Sequence, residues 1–127
     1  MMIDVYGLNN CDTCRKARKW LDLEGVDYQF HDIRKANLDR TVIADWADKA
    51  GWETLLNRRG TTWRGLPDSD KENIDQHSAT KLMTRHPALI KRPVFVLDSD
   101  VLVGFSGDVQ EALVRQKTII SGGRRRS

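Results

Sequence analysis

Cysteine is scarce: the 127 residues hold two, both in the segment "NNCDTCRK", as Cys11 and Cys14. A structural zinc needs about four Cys or His ligands. No second C-x-x-C follows, and His31, His77 and His86 stand singly without metal spacing, so no resident metal is expected. Long apolar runs are also missing. No stretch approaches the roughly 20 residues a membrane-spanning helix needs. "MMIDVYGLNN" shows no basic leader followed by an apolar core, so no signal peptide is expected and the reading is a cytoplasmic chain. Any disulfide there would be transient rather than structural. Neither sign of charge dominates. The formal excess is +3, and much of it lies in the closing "GGRRRS", read as a flexible, solubilising basic tail over 118–127 rather than a nucleic-acid arm. No internal repeat or low-complexity segment precedes it.

What is present suits one ordinary globular domain over 1–117. Apolar content of 39% and charged content of 31% are typical of such folds. A chain of this length buries roughly two thirds of its unfolded surface and needs no staples. Ile3-Asp4-Val5-Tyr6 reads as a strand ended by Gly7. From Asp12 to Glu24 the period becomes helical, with Cys14, Ala17, Trp20 and Leu21 on one stripe and Gly25 as the cap. Tyr28 to Ile33 alternates again. A strand, a helix and a strand within some thirty residues make a βαβ unit with parallel strands and a right-handed crossover.

Asp39 to Met83 reads as mostly helical. Val42, Ile43, Trp46, Ala47 and Ala50 mark one helix closed by Gly51, Trp52 with Leu55 and Leu56 a short second, and Ile74, Ala79, Leu82 and Met83 a third ended by Pro87. The polar "NRRGTTWRGLPDSD" connects the last two. Val94 to Leu97 and Val101 to Val103, joined by Asp98-Ser99-Asp100, give a hairpin signal, and a closing helix follows from about Asp108 to Lys117. The fold class expected is therefore α/β. A four-stranded mixed sheet, β-α-β then β-β-α, carries a helical insertion at about 38–90 between its halves.

In that frame Cys11 sits where the first strand has ended and the first helix begins. The leading amides of a helix lack internal partners and favour an anion at its start. Helix starts and C-x-x-C sites lower a thiol pKa from about 8.5 to ~3.5–7.5. The amides of Thr13 and Cys14 are the expected donors. Arg15 and Lys16 carry the wrong sign for the helix dipole, which an anion at Cys11 offsets, whereas Asp12 opposes a neighbouring thiolate. Cys14 lies one turn on, on the same face, and is expected to be less exposed, less acidic and, if it takes part, the resolving thiol. Both cysteines as inert packing remains the competing reading, because free cysteine is commonly buried. A C-x-x-C beside a βαβ pattern reads as thioredoxin-like.

"YGLNNCDTCRKARKWL", "GWETLLNRRGTTWRGL", "HPALIKRPVFV" and "VGFS", in that order and spacing, resemble the arsenate reductase (ArsC) family in its Spx/YffB branch, over nearly the whole chain to about Val114. The resemblance implies a thioredoxin-like fold with a helical insertion. It implies Cys11 as nucleophile, Arg92 before a cis Pro93, and a further arginine best matched by Arg59, with Arg58 as the alternative. Arginine grips carboxylates and oxyanions through two parallel bonds, which fits substrate binding, although a solvated loop is the plainer reading of Arg58 and Arg59 taken alone. Asn10, Thr13, Arg15 and Pro93 complete the expected substrate-binding set. Arsenate reductases proper carry a third arginine after the fourth strand. Here that turn reads Gly104-Phe105-Ser106, which weighs against arsenate as the substrate.

The function implied is a thiol-disulfide oxidoreductase with glutathione as co-substrate and no bound cofactor. The alternatives are an Spx-like regulator contacting the RNA polymerase α subunit, to which the match at Gly51 before "WETLLN" points, and an arsenate reductase. No membrane or nucleic-acid partner is expected. Trp20 and Trp46 are expected in the core, and Trp63 near the site or covering it.

Overall fold

A computed structural model describes residues 2–126, with side chains as far as Gln116. The sheet has four strands in the order β2-β1-β3-β4. β1 (Ile3–Gly7) and β2 (Tyr28–Asp32) run parallel, from Ile3 opposite Tyr28 to Gly7 opposite Asp32. Parallel neighbours need a crossover. α1 (Asp12–Leu23) supplies it. β3 (Val94–Val96) pairs antiparallel with both β1 and β4 (Val101–Val103), and the Leu97 amide donates to the Asp100 carbonyl at 2.8 Å to close the hairpin. The mixed α/β sheet read from the sequence is the one observed.

Alternation along β1 divides the molecule. Ile3 and Val5 face one way, into a cluster with Ala17 and Leu21 of α1, Phe95, and Val109 and Leu113 of α7 (Gly107–Arg126). Tyr6 faces the other way, against a larger cluster holding Ile43, Trp46, Leu55, Met83 and Ile90. Cys14, Ala17 and Leu21 are the buried stripe of α1, at the spacing that repeats on one helix face. The helix stops at Gly25, whose φ of +70° costs a residue without a Cβ little. Gly25 donates to the Asp22 carbonyl at 3.2 Å and Val26 to the Leu21 carbonyl at 3.0 Å, a Schellman closure that leaves Leu21 and Val26 in one apolar cluster.

The second layer comes from the insertion. α2 (Arg40–Ala50) begins at Asp39, whose carboxylate accepts from the Val42 amide at 3.0 Å. Gly51, at φ +90°, separates it from α3 (Trp52–Leu55). The polar connection between the second and third of the helices read from the sequence holds two single turns, α4 (Thr61–Arg64) and α5 (Asp68–Lys71). Half-buried Trp63 packs α4 onto the large cluster, while Asp68 and Asp70 occupy the first turn of α5, where acidic residues favour the dipole. α6 (Gln76–Arg85) starts two residues later than Ile74 suggested, because Asp75 and Ser78 form a capping box around its first amides. Pro87 opens a 3-10 turn, Pro87–Leu89. α7 is longer than the expected 108–117, and the expected flexible tail over 118–127 falls on residues whose side chains lie outside those described.

Candidate active site

Cys11 is the N-cap of α1. Its backbone is extended (φ −99°, ψ 122°), and its carbonyl accepts the first helical bond, from the Arg15 amide at 3.0 Å. The turn before it is pinned by the Cys11 amide donating to the Leu8 carbonyl at 3.3 Å. The side chain is partly exposed and makes no cap bond of full geometry, yet the amides of Cys14 and Thr13 favour its anion. Partial burial is the largest single influence on this thiol and pushes its pKa up. The Cys14 amide, the Cys14 thiol, the Thr13 amide and the charge of Arg92 together outweigh it, and the net shift is downward.

Cys14 behaves in the opposite sense. It is 1% exposed, and burial, together with the hydrogen bond and charge of Cys11, pushes its pKa up to about 11. The Leu8 amide and Arg92 pull in the other direction without prevailing. One thiol is thus favoured as an anion and the other held as a neutral donor beside it, a division of roles that packing alone would not require.

Arg92 is the cation whose charge bears on both sulfurs. Its Nη1 donates only long bonds, to the carbonyls of Ala88 at 3.3 Å and Ile90 at 3.5 Å, and its Nε is buried without a partner. That Nε is a donor the fold leaves unmatched, while the charge of the same guanidinium favours a thiolate. The Arg92–Pro93 peptide is cis, as expected, and Pro93 is fully buried.

Arg58 and Arg59 lie elsewhere in the lining of the fold. They border an open pocket of about 370 Å³ with Glu53, Leu56, Asn57 and Lys91, and neither cysteine lines it. Arg58 lies over the rings of Trp52, at 5.2 Å, and Trp63, at 6.0 Å. The Arg59 guanidinium has no partner among the described residues; only its backbone is engaged, with Asn57 and Arg64. Lys91, adjacent to Arg92 in the chain, was not singled out from the sequence and brings a further cation to this pocket.

The remaining expected residues divide. Thr13 acts through its amide. Asn10 is an exposed turn residue next to Cys11, and the neighbouring Asn9 side chain accepts from Arg18 at 3.0 Å. Arg15 pairs with Asp12, so both are engaged with each other at the helix start. That pair moderates the repulsion between Asp12 and a thiolate and the unfavourable position of Arg15 on the dipole. Among the described residues no group of three His, Cys, Asp or Glu gathers as a metal site, and no helix is long and apolar enough to cross a membrane.

A four-stranded mixed sheet with a cis proline leading into β3 and a C-x-x-C opening α1 defines a thioredoxin-like α/β protein. The chain belongs to the ArsC family, whose model matches residues 6–113. Among solved structures it is similar to the YFFB protein, with a TM-score of 0.81 and 44% identity over 87% of this chain and 96% of that one. A Haemophilus influenzae protein described as uncharacterized is 40% identical over 83% of this chain and 92% of its own. The global transcriptional regulator Spx of Streptococcus pyogenes is 28% identical over 84% of this chain and 81% of its own.

Proposed function

We propose that this protein is a thiol-disulfide oxidoreductase in which the Cys11 thiolate is the nucleophile and glutathione the co-substrate. The observation that carries the reading is the contrast within one helical turn: a partly exposed sulfur favoured as anion three residues from a buried one whose pKa is pushed up to about 11. Cys11 attacks one sulfur of a substrate disulfide. The Cys11–sulfur bond forms, the substrate bond breaks, and the departing thiolate takes a proton. Arg92 favours the attacking anion by its charge, and its guanidinium is assigned to an anionic group of the substrate. Arg59, with open donors, is assigned to a more distant carboxylate of the substrate and Asn10 to its backbone, while the buried Pro93 fixes the course of the chain at Arg92. The adduct is released either by Cys14, which attacks Cys11, or by a second glutathione.

The test is mass spectrometry after incubation with oxidised glutathione, paired with the pH dependence of Cys11 alkylation. An adduct on Cys11 and a midpoint below 8.5 are expected; a midpoint at or above 8.5 with no adduct removes the reading.

A second reading, a redox-switched regulator binding the RNA polymerase α subunit, is favoured by the Spx relative together with the shared C-x-x-C and Gly51. Capture of polymerase from lysate under reducing or oxidising conditions separates the two, and absence in both conditions eliminates the regulator. Arsenate as substrate uses the same cysteine, but Gly104-Phe105-Ser106 offers no cation to replace the third arginine.

A further inference from the structure

Gly7 is the last residue of β1, on the same face as Ile3 and Val5, and it lies under the sulfur of Cys14. A Cβ built there would stand 2.6 Å from Cys14 Sγ, 3.5 Å from Cys14 Cβ and 3.4 Å from a ring carbon of Phe30. The first distance is impossible and the other two are ordinary contact, so the sulfur alone occupies the space a side chain at position 7 would need. The Leu8 amide and the Cys11 thiol both bear on the ionisation of the same sulfur. Glycine at 7 therefore leaves the room this sulfur occupies, and the amide at 8 and the thiol at 11 act on it there.

Cysteine has one rotatable side-chain bond, and in a helix one of its three staggered positions is closed by the preceding turn. Excluding the present position swings Sγ by about 120°, off the Leu8 amide and away from its contact with Cys11. We propose that Gly7 is a positioning residue, the backbone slot that holds the Cys14 sulfur at Cys11 for closing the intramolecular disulfide.

This rests on the reading of Cys11 as nucleophile and gives the second step its geometry. The Cys14 thiol loses its proton to solvent and attacks Cys11 in the Cys11–glutathione adduct. The Cys11–Cys14 bond forms, the mixed disulfide breaks, and glutathione leaves as a thiolate that takes up a proton. Across both steps the substrate disulfide is reduced to two thiols and the Cys11–Cys14 pair is oxidised. Two further equivalents of reduced glutathione restore the dithiol.

The experiment compares wild type, Gly7→Ala, Cys14→Ala and the double variant Gly7→Ala/Cys14→Ala. Adduct formation and glutathione release are followed by quenched mass spectrometry, and each variant is thermally melted. Gly7→Ala is expected to slow release tenfold or more while adduct formation changes far less. Its melting temperature should fall in the presence of Cys14 and recover most of that loss when Cys14 is alanine. Release at the wild-type rate, or an equal loss of stability with and without Cys14 (failure of both Gly7→Ala chains to fold included), overturns the proposal. Should wild-type Cys11 take no adduct, the function proposed above fails; ring closure is then driven with a diazenedicarboxamide oxidant, and the same slowing and the same melting cycle still decide the role of Gly7.

Discussion

In the turn between β1 and α1, the backbone groups that act on Cys11 belong to residues two and three positions away, Thr13 and Cys14. In the connection between α3 and α6, Arg58 reaches back to Trp52 and forward to Trp63, and the ring of Trp63 also meets Lys71 at 5.8 Å. The first region controls a charge through amides that the helix start fixes in place. The second holds charges by laying long side chains on indole faces, leaving their outer edges in water. Preorganised amides act strongly on one atom, while stacked surface cations act weakly and can adapt to the shape of a ligand. Under the proposed function the two regions are assigned different tasks, ionising a nucleophile and gripping the remote end of a substrate.

Substitutions can break that contrast, beginning with the largest effect. Cys11→Ser is expected to remove thiol exchange by on the order of a thousandfold or more, while Cys14→Ser still forms the first adduct; initial rates with oxidised glutathione check both. Next is a pH effect on stability from Cys14. Its folded pKa of about 11 stands above the roughly 8.5 of a free thiol, so the unfolded chain releases this proton first as the solution becomes alkaline. Stability present below about pH 8.5 is therefore lost as pH rises toward 11, by roughly 1–3 kcal/mol, and denaturant melts should show this fall in wild type but not in Cys14→Ala.

Arg92→Met should raise the Cys11 alkylation midpoint by up to about one unit, slowing the reaction near pH 7 about tenfold, whereas Arg59→Met should leave the midpoint in place. An equal shift from Arg59→Met would merge the two regions into one electrostatic site. The smallest effect belongs to Arg58→Ala, about 0.5–1 kcal/mol of stability from the lost ring contacts, with the Cys11 titration unchanged. Urea melts and the alkylation profile measure the two halves of that statement.

The first region was legible in the sequence because its physics is local. A strand former run, a glycine and a helical period place Cys11 at a cap, and the structure puts it there with the shift in the expected direction. The sheet was legible for the same reason, since hairpin and βαβ signals each span a few dozen residues. The second region was not. Single-turn helices such as α4 and α5 are too short to show a period, and the stacking of Arg58 between two indoles depends on packing across the insertion. The Asp4–His31 pair at 2.9 Å and the Tyr6–His31 stack at 4.6 Å follow only from the parallel register of β1 and β2. Gly7 carried a signal that went unread: it continues the two-residue alternation of Ile3 and Val5 toward α1, on the side where Cys14 points.

The division of the apolar interior by the sheet also makes the protein its own optical instrument. Trp20 stands edge-on to Phe105 at 5.6 Å on one side, and Trp46 lies 4.8 Å from Tyr6 on the other. Chains keeping only one of these indoles would emit from opposite halves of the molecule, and differing unfolding midpoints for the two emissions would reveal whether those halves melt together or in sequence.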